Sequence, residues 1–558
     1  MSGRPRSPGS VTAALAALAA VASTLLLGSC NGPAASDELV LRTATGADPP
    51  GLNPLVFDNA NVSFFAPLFH GYLLRTDGNG KLIPDLALVV PTVANGGIAP
   101  DGRSVTYHLR HGVRWHDGVG FDARDVVFSF RAAMNPANQV PDRTGFDHVA
   151  AVRALDPYTV RVRLTEPFTP FVPSCFTLAA NDPYALLPAH LLAGKPDLNR
   201  DPYNAHPIGL GPYMVVAWDR GNRIVLKADP HYFRGAPAIP RIDIAIVPNI
   251  NTTQTMWQAG KLDLLFARVQ GGRRYLDALR AVPGTHTVLR PHYEFDFVIF
   301  NLTHPPLDDV RVRRAIIEGV DRKRIMRNLE GELHVPGDTD RLPGQFAYDP
   351  SIVQPDFDPT GAARLLDAAG WRLIGGVRTK NGRQLSFDYV GATETPLTGS
   401  FGLLLAQDLT KLGIRMSIKS YGYNLIFASA AQHGIYQDGR FDLTFSGWQP
   451  DGVNDHSYLF RCDTRPPNGD NFGRICDAAI DTAARAELGT SDPAREAEAD
   501  RALTRRLVAQ SDLLFVGFNQ EAAVYRDGLE GIVPSVTGQH LWNAWAWHWN
   551  RSPQKENP

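Results

Sequence analysis

Short apolar runs alternate along the chain with longer segments of helical periodicity. The short runs are rich in β-branched and aromatic residues and are bounded by turn residues, which is typical of strands. They cover Leu39 to Thr45, Val105 to Leu109, Ile224 to Leu226, Ile242 to Val247 and Phe295 to Leu302. Strands interleaved with helices predict a mixed α/β fold.

The helices are indicated by the residues at their ends. Asp358-Pro359 offers an N-cap and a first-turn proline, and Gly370 offers a C-terminal glycine after an apolar stripe. The same reasoning predicts helices from Asp308-Asp309, over Phe401 to Leu412, over Asp477 to Leu488, from Asp492-Pro493 to about Val508, and from near Val126 with Asp125 as its cap. We expect the basic residues Arg311, Arg313 and Arg314 to lie on a solvated helix face.

The N-terminus has the pattern of a secretory signal. Arg4 and Arg6 precede an apolar run of seventeen uncharged residues, Val11 to Leu27, and small residues follow. The run falls short of the roughly 20 residues that a comfortable membrane span needs. Residues 1–29 are therefore predicted to be a signal peptide, and the chain is predicted to be exported.

Leu27-Gly28-Ser29-Cys30 resembles the bacterial lipobox, in which the cysteine is acylated and becomes the new first residue. The resemblance implies a lipid anchor on Cys30 and a polar tether over residues 30–37. The protein would then lie in the periplasmic space or on the outer face of the cytoplasmic membrane. The alternative is an ordinary cleaved signal, cut after Ala34 or Ala35.

The remaining cysteines fit an oxidising compartment. Cys462 and Cys476 bracket a turn-rich segment, and we expect them to form a disulfide outside the cytoplasm. The alternative is a pair of buried free thiols. Cys175 is predicted to be a small core residue.

Composition and motifs exclude several function classes. A net charge of −2 argues against a nucleic-acid partner, and more than 500 residues after the signal predict two or three lobes. No P-loop, G-x-S-x-G or H-E-x-x-H motif occurs, so we expect no enzyme; a secreted hydrolase that uses scattered acids is the alternative. His108, His111 and His116 do not have the spacing of a metal site, and no metal or cofactor is expected.

A set of segments in fixed order carries a family resemblance. These segments are Leu52–Leu55, Leu68–Leu74, Tyr107–Gly118, Ala123–Phe130, Pro207–Tyr213, Asp229–Phe233, Asn301–Leu302, Asp309–Ala315 and Val320–Arg322. Together they resemble the bacterial family 5 extracellular solute-binding proteins, the oligopeptide- and dipeptide-binding lipoproteins of ABC importers. The most specific single match is the segment Leu109 to Gly118.

The resemblance implies a fold and its division into lobes. The fold would be a type II periplasmic-binding-protein architecture, with two α/β lobes, an extra inserted subdomain and a ligand cleft between the lobes. Lobe I would combine residues 38–70, 205–285 and 525–551, the inserted subdomain 71–204, and lobe II 286–524. Residues 552–558 would form a polar tail.

The resemblance also implies a ligand site on the segment Phe441 to Asp451. In peptide-binding relatives a Gly-Trp-x-x-Asp stretch pairs its backbone with the peptide, and its Asp holds the α-ammonium. Gly447, Trp448 and Asp451 match that pattern, with Asp455 as the alternate anchor. The alternative is that Asp451 only caps a turn. No basic residue that would clamp a peptide carboxylate is identified in the sequence.

The function implied is that of the substrate-binding component of an ABC importer. A monomer would capture a di- or oligopeptide and deliver it to a permease with its ATPase subunits, while its own lipid holds it at the membrane. The alternatives are a binder of another solute, such as a nickel chelate, a sugar or an opine, and a ligand-binding sensor lipoprotein.

Overall fold

The structure, a computed structural model, describes residues 39–57, 59–141, 143, 145–179, 184–267, 272–448, 457–490 and 492–550. The predicted signal peptide, Cys30 with the tether, Asp451, Asp455 and the polar tail lie outside these ranges. No helix in the described ranges has the length and apolar character needed to cross a membrane.

The strands and helices alternate along the chain, as the sequence predicts. The strands are β1 Val40–Thr45, β2 Leu74–Thr76, β3 Leu82–Pro84, β4 Ser104–His108, β5 Val149–Asp156, β6 Thr159–Leu164, β7 Thr177–Leu178, β8 Tyr213–Asp219, β9 Arg223–Ala228, β10 Arg241–Ile246, β11 Leu264–Ala267, β12 Thr285–Phe300, β13 His334–Pro336, β14 Arg372–Ile374, β15 Val377–Lys380, β16 Arg383–Gln384, β17 Ser386–Ala392, β18 Arg415–Tyr421, β19 Leu443–Trp448, β20 Leu513–Arg526, β21 Leu529–Glu530 and β22 His548–Trp549. The helices are α1 Ala60–Phe69, α2 Ala123–Met134, α3 Phe171–Ser174, α4 Ala189–Leu192, α5 Ile250–Gln258, α6 Gly272–Arg280, α7 Val310–Gly319, α8 Arg322–Leu329, α9 Pro359–Ala368, α10 Pro396–Lys411, α11 Tyr423–Ile426, α12 Ile435–Asp438, α13 Ala478–Leu488 and α14 Pro493–Gln510.

One lobe is built on a four-stranded sheet of order β1-β10-β9-β8. β1 runs parallel to β10, and β9 is antiparallel to both of its neighbours. The apolar residues of this sheet pack with α1 and with Trp547 in one buried cluster. That cluster joins the beginning, the middle and the end of the described chain, as expected for a lobe that is discontinuous in sequence.

A second buried cluster belongs to the segment predicted as the inserted subdomain. It gathers Tyr107, Trp115 and Phe146 with many smaller apolar residues. Two three-stranded sheets, β4-β6-β5 and β3-β2-β7, contribute to it. Cys175 is buried in the same cluster, as predicted. The residue boundaries of the lobes and of the subdomain stay predictions.

Two long antiparallel strands, β12 and β20, run through the largest sheet, of order β11-β20-β12-β19-β17-β18, to which β13 adds on β20. The C-terminal end of β20 pairs with β11. The C-terminal part of β12, which lies at the other end of the β12–β20 ladder, pairs with β19. The ladder between β12 and β20 is interrupted between Pro291 and Phe295 and again after Asp296. These strands therefore connect the two lobes, and their ladder breaks between them.

The second lobe is a sheet covered on both faces. Val298 and Phe300 of β12 pack against α7, α9 and α10 in one cluster. Phe297 and Ile299 pack on the other face, in a cluster that includes α13 and α14. The alternation of β12 between the two clusters follows from the period of two along a strand.

Most predicted caps are confirmed. Asp358, Asp309, Asp477 and Asp492 are N-caps whose carboxylates accept backbone N–H groups at the starts of α9, α7, α13 and α14. α10 begins at Pro396, five residues before the predicted start, because Pro396 opens its first turn. β12 is also much longer than the predicted Phe295 to Leu302.

Two predictions about individual residues are wrong. α2 begins at Ala123, and its N-cap is Asp122; Asp125 is instead the third helical residue and completes a capping box by accepting from the Asp122 backbone N–H. Arg313 does not lie on a solvated face, because it is only 5% exposed. Its guanidinium donates to the Leu307 carbonyl and to Asp512, so its hydrogen-bonding capacity is used inside the lobe.

Candidate functional site

β19 has a strand neighbour on both edges at its start and on one edge at its end. Its parallel pairing with β17 ends at Val390 and Thr444. Its antiparallel pairing with β12 continues to Phe295 and Trp448. Among the described residues, the backbone of 446–448 is therefore paired with a strand on one edge only. The predicted ligand residues Gly447 and Trp448 both lie on this segment.

The Trp448 side chain is held in a defined orientation. Its indole N–H donates to the Tyr458 hydroxyl, and the two rings meet edge to face at 5.7 Å. Because the indole N–H is engaged within the protein, the ring faces of Trp448 are the parts left to contact a ligand. The half-buried ring can therefore form a flat wall at the end of β19.

Gly447 lies beneath two carboxylates. A Cβ at this position would come within 2.7 Å of Glu294 Oε1 and within 3.0 Å of Asp296 Oδ1. Asp296 is the residue directly opposite Gly447 on β12, so their side-chain positions share one face of the sheet. The two acids therefore occupy the space that a side chain at position 447 would fill.

A row of polar groups crosses the sheet at Asp296. On β20, Gly517 is opposite Asp296, and the Asn519 amide donates to Asp296 Oδ1 at 3.4 Å. On β13, His334 is opposite Asn519, and its Nε2 lies 3.8 Å from Asp296 Oδ2. Gly517 leaves room for that imidazole, because a Cβ there would come within 2.5 Å of the His334 ring.

Burial governs the protonation of this row. It raises the pKa of the Asp296 carboxyl well above its ordinary value, and the nearby carboxylates of Glu294 and Glu330 add to the rise. It also raises the pKa of Glu330 to about 7. It lowers the pKa of His334 to about 4, so the imidazole is neutral at physiological pH.

A cavity of about 430 Å³ opens in the first lobe, next to β20. Phe64, Phe266 and Tyr275 contribute aromatic walls, and Glu521 and His540 contribute a hydrogen-bonded polar pair. The volume lies in the range of small-molecule pockets, which typically combine apolar walls with a few polar groups. Asn519 and Glu521 are two residues apart on β20, so one strand face leads from the Asp296 row to this cavity.

The segment after β19 is closed by a disulfide between Cys462 and Cys476, whose Cα atoms are 4.6 Å apart. The buried Asn471 organises the loop between them, because its amide bonds both the N–H and the carbonyl of Ile475. The loop also contacts the chain two residues after the end of β12, where the Leu302 N–H donates to the Gly473 carbonyl. The disulfide loop therefore lies beside the strand that presents Asp296.

The remaining histidines of interest have separate partners. His116 bonds the backbone at Gly209 and Gly211, His108 approaches Thr159, and His111 stacks on Tyr158. Within the described ranges, no group of three or more His, Cys, Asp or Glu side chains is arranged to hold a metal ion.

The sequence pattern pointed to β19 through Gly447 and Trp448, but it did not point to Asp296, Glu294 or His334 on the neighbouring strands. A signal for the first two was present, because acids alternate with Phe295 and Phe297 in a strand that is otherwise apolar. No local signal indicated His334, which reaches Asp296 only through the pairing of β13 with β20.

Comparison with known proteins defines the class of protein. The family model for bacterial extracellular solute-binding proteins, family 5 Middle, matches residues 83–470. The chain belongs to this family of solute-binding proteins. The solved structure of NikA from Brucella suis in complex with Fe(III)-EDTA has the same fold, with a TM-score of 0.78 and 22% identity, and the match covers 90% of this chain and 99% of that chain.

Two curated relatives are similar over most of their length. Protein XP55 of Streptomyces lividans is 26% identical over 522 residues, which cover 91% of this chain and 88% of the relative. A dipeptide-binding protein of Pseudomonas aeruginosa is 27% identical over 509 residues, which cover 86% of this chain and 89% of the relative. The two-lobed fold expected from the sequence is confirmed by these comparisons.

Proposed function

We propose that this chain captures a peptide outside the cytoplasmic membrane and delivers it to an ABC permease, whose ATPase subunits supply the energy. The observation that carries the proposal is the one-sided pairing of residues 446–448. An extended peptide can add to such an edge through main-chain hydrogen bonds, which read its backbone and tolerate varied side chains. Similarity to a dipeptide-binding protein supports the same ligand class.

Capture requires the lobes to close on the ligand. β12 and β20 connect the lobes, and the interrupted ladder between Pro291 and Phe295 is a natural hinge, because few backbone hydrogen bonds resist bending there. Closure buries the ligand, and the permease distinguishes the closed form from the open one. The protein itself carries out no covalent chemistry.

We assign the α-ammonium of the peptide to Asp451, with Asp455 as the alternative anchor. A carboxylate makes a strong charge-assisted hydrogen bond to an ammonium group. Substitution Asp451→Asn should lower the affinity for a free peptide at least tenfold, which corresponds to about 1.4 kcal/mol. It should leave the affinity for the N-acetylated peptide unchanged, and equal binding of both peptides by the wild type would contradict the assignment.

The backbone pairing is tested by calorimetric titration with tetra-alanine and with analogues methylated at one amide nitrogen at a time. Methylation removes the N–H but keeps the side chains, so at least one analogue should bind tenfold more weakly. Failure of every peptide to bind, or equal affinity for all analogues, would rule out the proposal. Native mass spectrometry of the freshly purified protein identifies the co-purifying ligand; a chelate, sugar or opine there would replace the peptide.

Membrane attachment is the remaining part of the proposal. Acylation of Cys30 would hold the protein at the membrane beside its permease, and two or three acyl chains suffice for a stable anchor. The variant Cys30→Ala should therefore appear in the soluble fraction after cell lysis, while the wild type sediments with membranes. Equal sedimentation of both would refute the anchor without affecting the peptide assignment.

A further inference from the structure

The geometry points to a second ligand contact: Asp296, with Glu294 and Glu330 beside it, forms a subsite for a cationic group of the ligand, an ammonium or a guanidinium. This inference rests on the proposed function and names the ligand chemistry more narrowly. The subsite uses strands β12, β13 and β20 and the end of α8, and so is distinct from the segment that contains Asp451.

The carboxyl groups of the cluster have no lysine or arginine partner within the described chain. No described lysine or arginine lies within ion-pair distance of Asp296, Glu294 or Glu330. Four buried carboxylates elsewhere in the described chain have an arginine partner: Asp85 pairs with Arg75, Asp263 with Arg42, Asp408 with Arg324 and Asp512 with Arg313. An uncompensated buried carboxylate is costly, and the cost is recovered when an external cation binds.

Several polar atoms of the cluster also lack a hydrogen-bond partner within the described chain. Asp296 Oδ2, Glu330 Oε2 and both ring nitrogens of His334 are buried and have no hydrogen-bond partner among the residues that the structure describes. Asp296 is 2% exposed, and His334 and Glu330 are each 7% exposed. The imidazole Nε2 and Asp296 Oδ2 face each other at 3.8 Å, which is too long for a hydrogen bond. An ammonium offers three donors and a guanidinium five, so either can use these acceptors.

The location suits a group that belongs to the same ligand. Asp296 is directly opposite Gly447, so a peptide on the edge of β19 would lie one strand away from the carboxylate. Glu294 is the accessible member of the cluster, with 39% of its side chain exposed. A cation arriving from the cleft meets Glu294 first, and movement of that flexible side chain opens the way to Asp296.

Binding of a cation should be coupled to proton release. The titratable groups around Asp296 are Glu294, Glu330 and His334. Burial raises the pKa of Asp296, so this carboxyl stays protonated to a higher pH than an exposed one. A bound cation favours the ionised carboxylate and lowers its pKa again, so the proton leaves as the ligand enters. Calorimetry in two buffers of different ionisation enthalpy measures this release.

The probes are Ala-Lys-Ala and Ala-norleucine-Ala, each with a free and an acetylated N-terminus, together with spermidine. Norleucine keeps the four-carbon stem of lysine without its charge. We expect the wild type to prefer the lysine peptide at least tenfold, to release a proton on binding only that peptide, and to lose the preference in Asp296→Asn. If Asp296→Asn instead removes the difference between free and acetylated peptides, the cation at Asp296 is the α-ammonium.

Asp408→Asn is the matched control. Asp408 is equally buried in the same lobe but already pairs with Arg324 and Lys411, so its substitution should leave the charge preference intact. Loss of the preference in both variants, or unchanged affinities in Asp296→Asn, would overturn the inference. Binding of neutral peptides without charge preference or proton release would overturn it while the proposed function stands.

Titration with spermidine distinguishes the peptide-binding function from the cationic subsite at Asp296. Binding of spermidine that depends on Asp296, with no binding of any peptide, would refute the peptide function and support the cationic subsite. Binding of neither spermidine nor any peptide would overturn both.

Discussion

Asp296 Oδ2 lies 3.8 Å from His334 Nε2, and neither atom has a hydrogen-bond partner within the described part of the chain. The two residues come from strands on either side of β20, and both are buried. Such an arrangement does not stabilise the unliganded protein, because a buried polar group without a partner costs free energy. Sites that bind ligands often retain such unfavourable groups, and their removal then increases stability.

The variant Asp296→Asn is therefore expected to unfold at a higher temperature than the wild type. Because the folded-state pKa of Asp296 lies above its unfolded value, the wild type loses stability as pH rises from about 4, where the unfolded carboxyl ionises, towards the folded pKa. The difference in melting temperature between the variant and the wild type should be small near pH 4 and should grow towards neutral pH. Thermal melts across this range measure it; a variant less stable at pH 7 would contradict the expectation.

Glu330 should contribute a separate pH dependence. Burial raises its pKa to about 7, so the wild type should lose stability between roughly pH 4.5 and pH 7 and change little above that range. Glu330→Gln should remove this pH dependence. At pH 8 its free energy of unfolding should exceed that of the wild type by on the order of 1–3 kcal/mol. Denaturant titrations at pH 4.5, 6 and 8 test the prediction. Glu332→Gln, a partly exposed acid two residues later, should retain the wild-type slope.

The caps of the helices could be predicted from sequence because each depends on residues that are adjacent in the chain. The Asp296 cluster could not be predicted in this way, since it joins residues near 295, 332 and 518 through strand pairing. Arg313 is an intermediate case. It is three and four residues before Ile316 and Ile317, so helical periodicity already places it on a buried face. Its charge led to the incorrect prediction, because a buried arginine needs partners that only the fold supplies.

The Arg313 prediction follows from those partners. Its guanidinium donates to the carbonyls of Gln510 and Ser511 at the end of α14 and to the Asp512 carboxylate. Substitution Arg313→Met leaves Asp512 buried without its cation and should cost about 3–5 kcal/mol of unfolding free energy. Arg314→Met, which breaks an exposed pair with Glu318, should cost about 0.5 kcal/mol or less. Equal losses in chemical denaturation would refute the structural role of Arg313.

The disulfide should stabilise the second lobe. Cys462 and Cys476 are 14 residues apart, and for a loop of this size the chain-entropy model gives about 3 kcal/mol. The double substitution Cys462→Ser with Cys476→Ser should lower the unfolding free energy by about this amount. A reducing agent should have the same effect on the wild type and none on the double variant. Insensitivity of the wild type to reduction would show that the bond does not contribute.

Gly447→Ala should separate ligand-charge recognition from folding. The added methyl group would come within 2.7 Å of Glu294 Oε1 and 3.0 Å of Asp296 Oδ1, and the partly exposed Glu294 side chain can move away. The backbone edge of β19 is unaltered, so neutral peptides should bind within about threefold of the wild type, while a preference for a cationic ligand should fall at least tenfold.

Gly399→Ala is the control. It lies on α10 with open space around its new Cβ, so it should leave both affinities unchanged and stabilise the helix by up to about 1 kcal/mol. Calorimetric titration of both variants with a lysine peptide and its norleucine analogue decides the matter: an undiminished charge preference in Gly447→Ala would show that the space above this glycine does not serve the ligand.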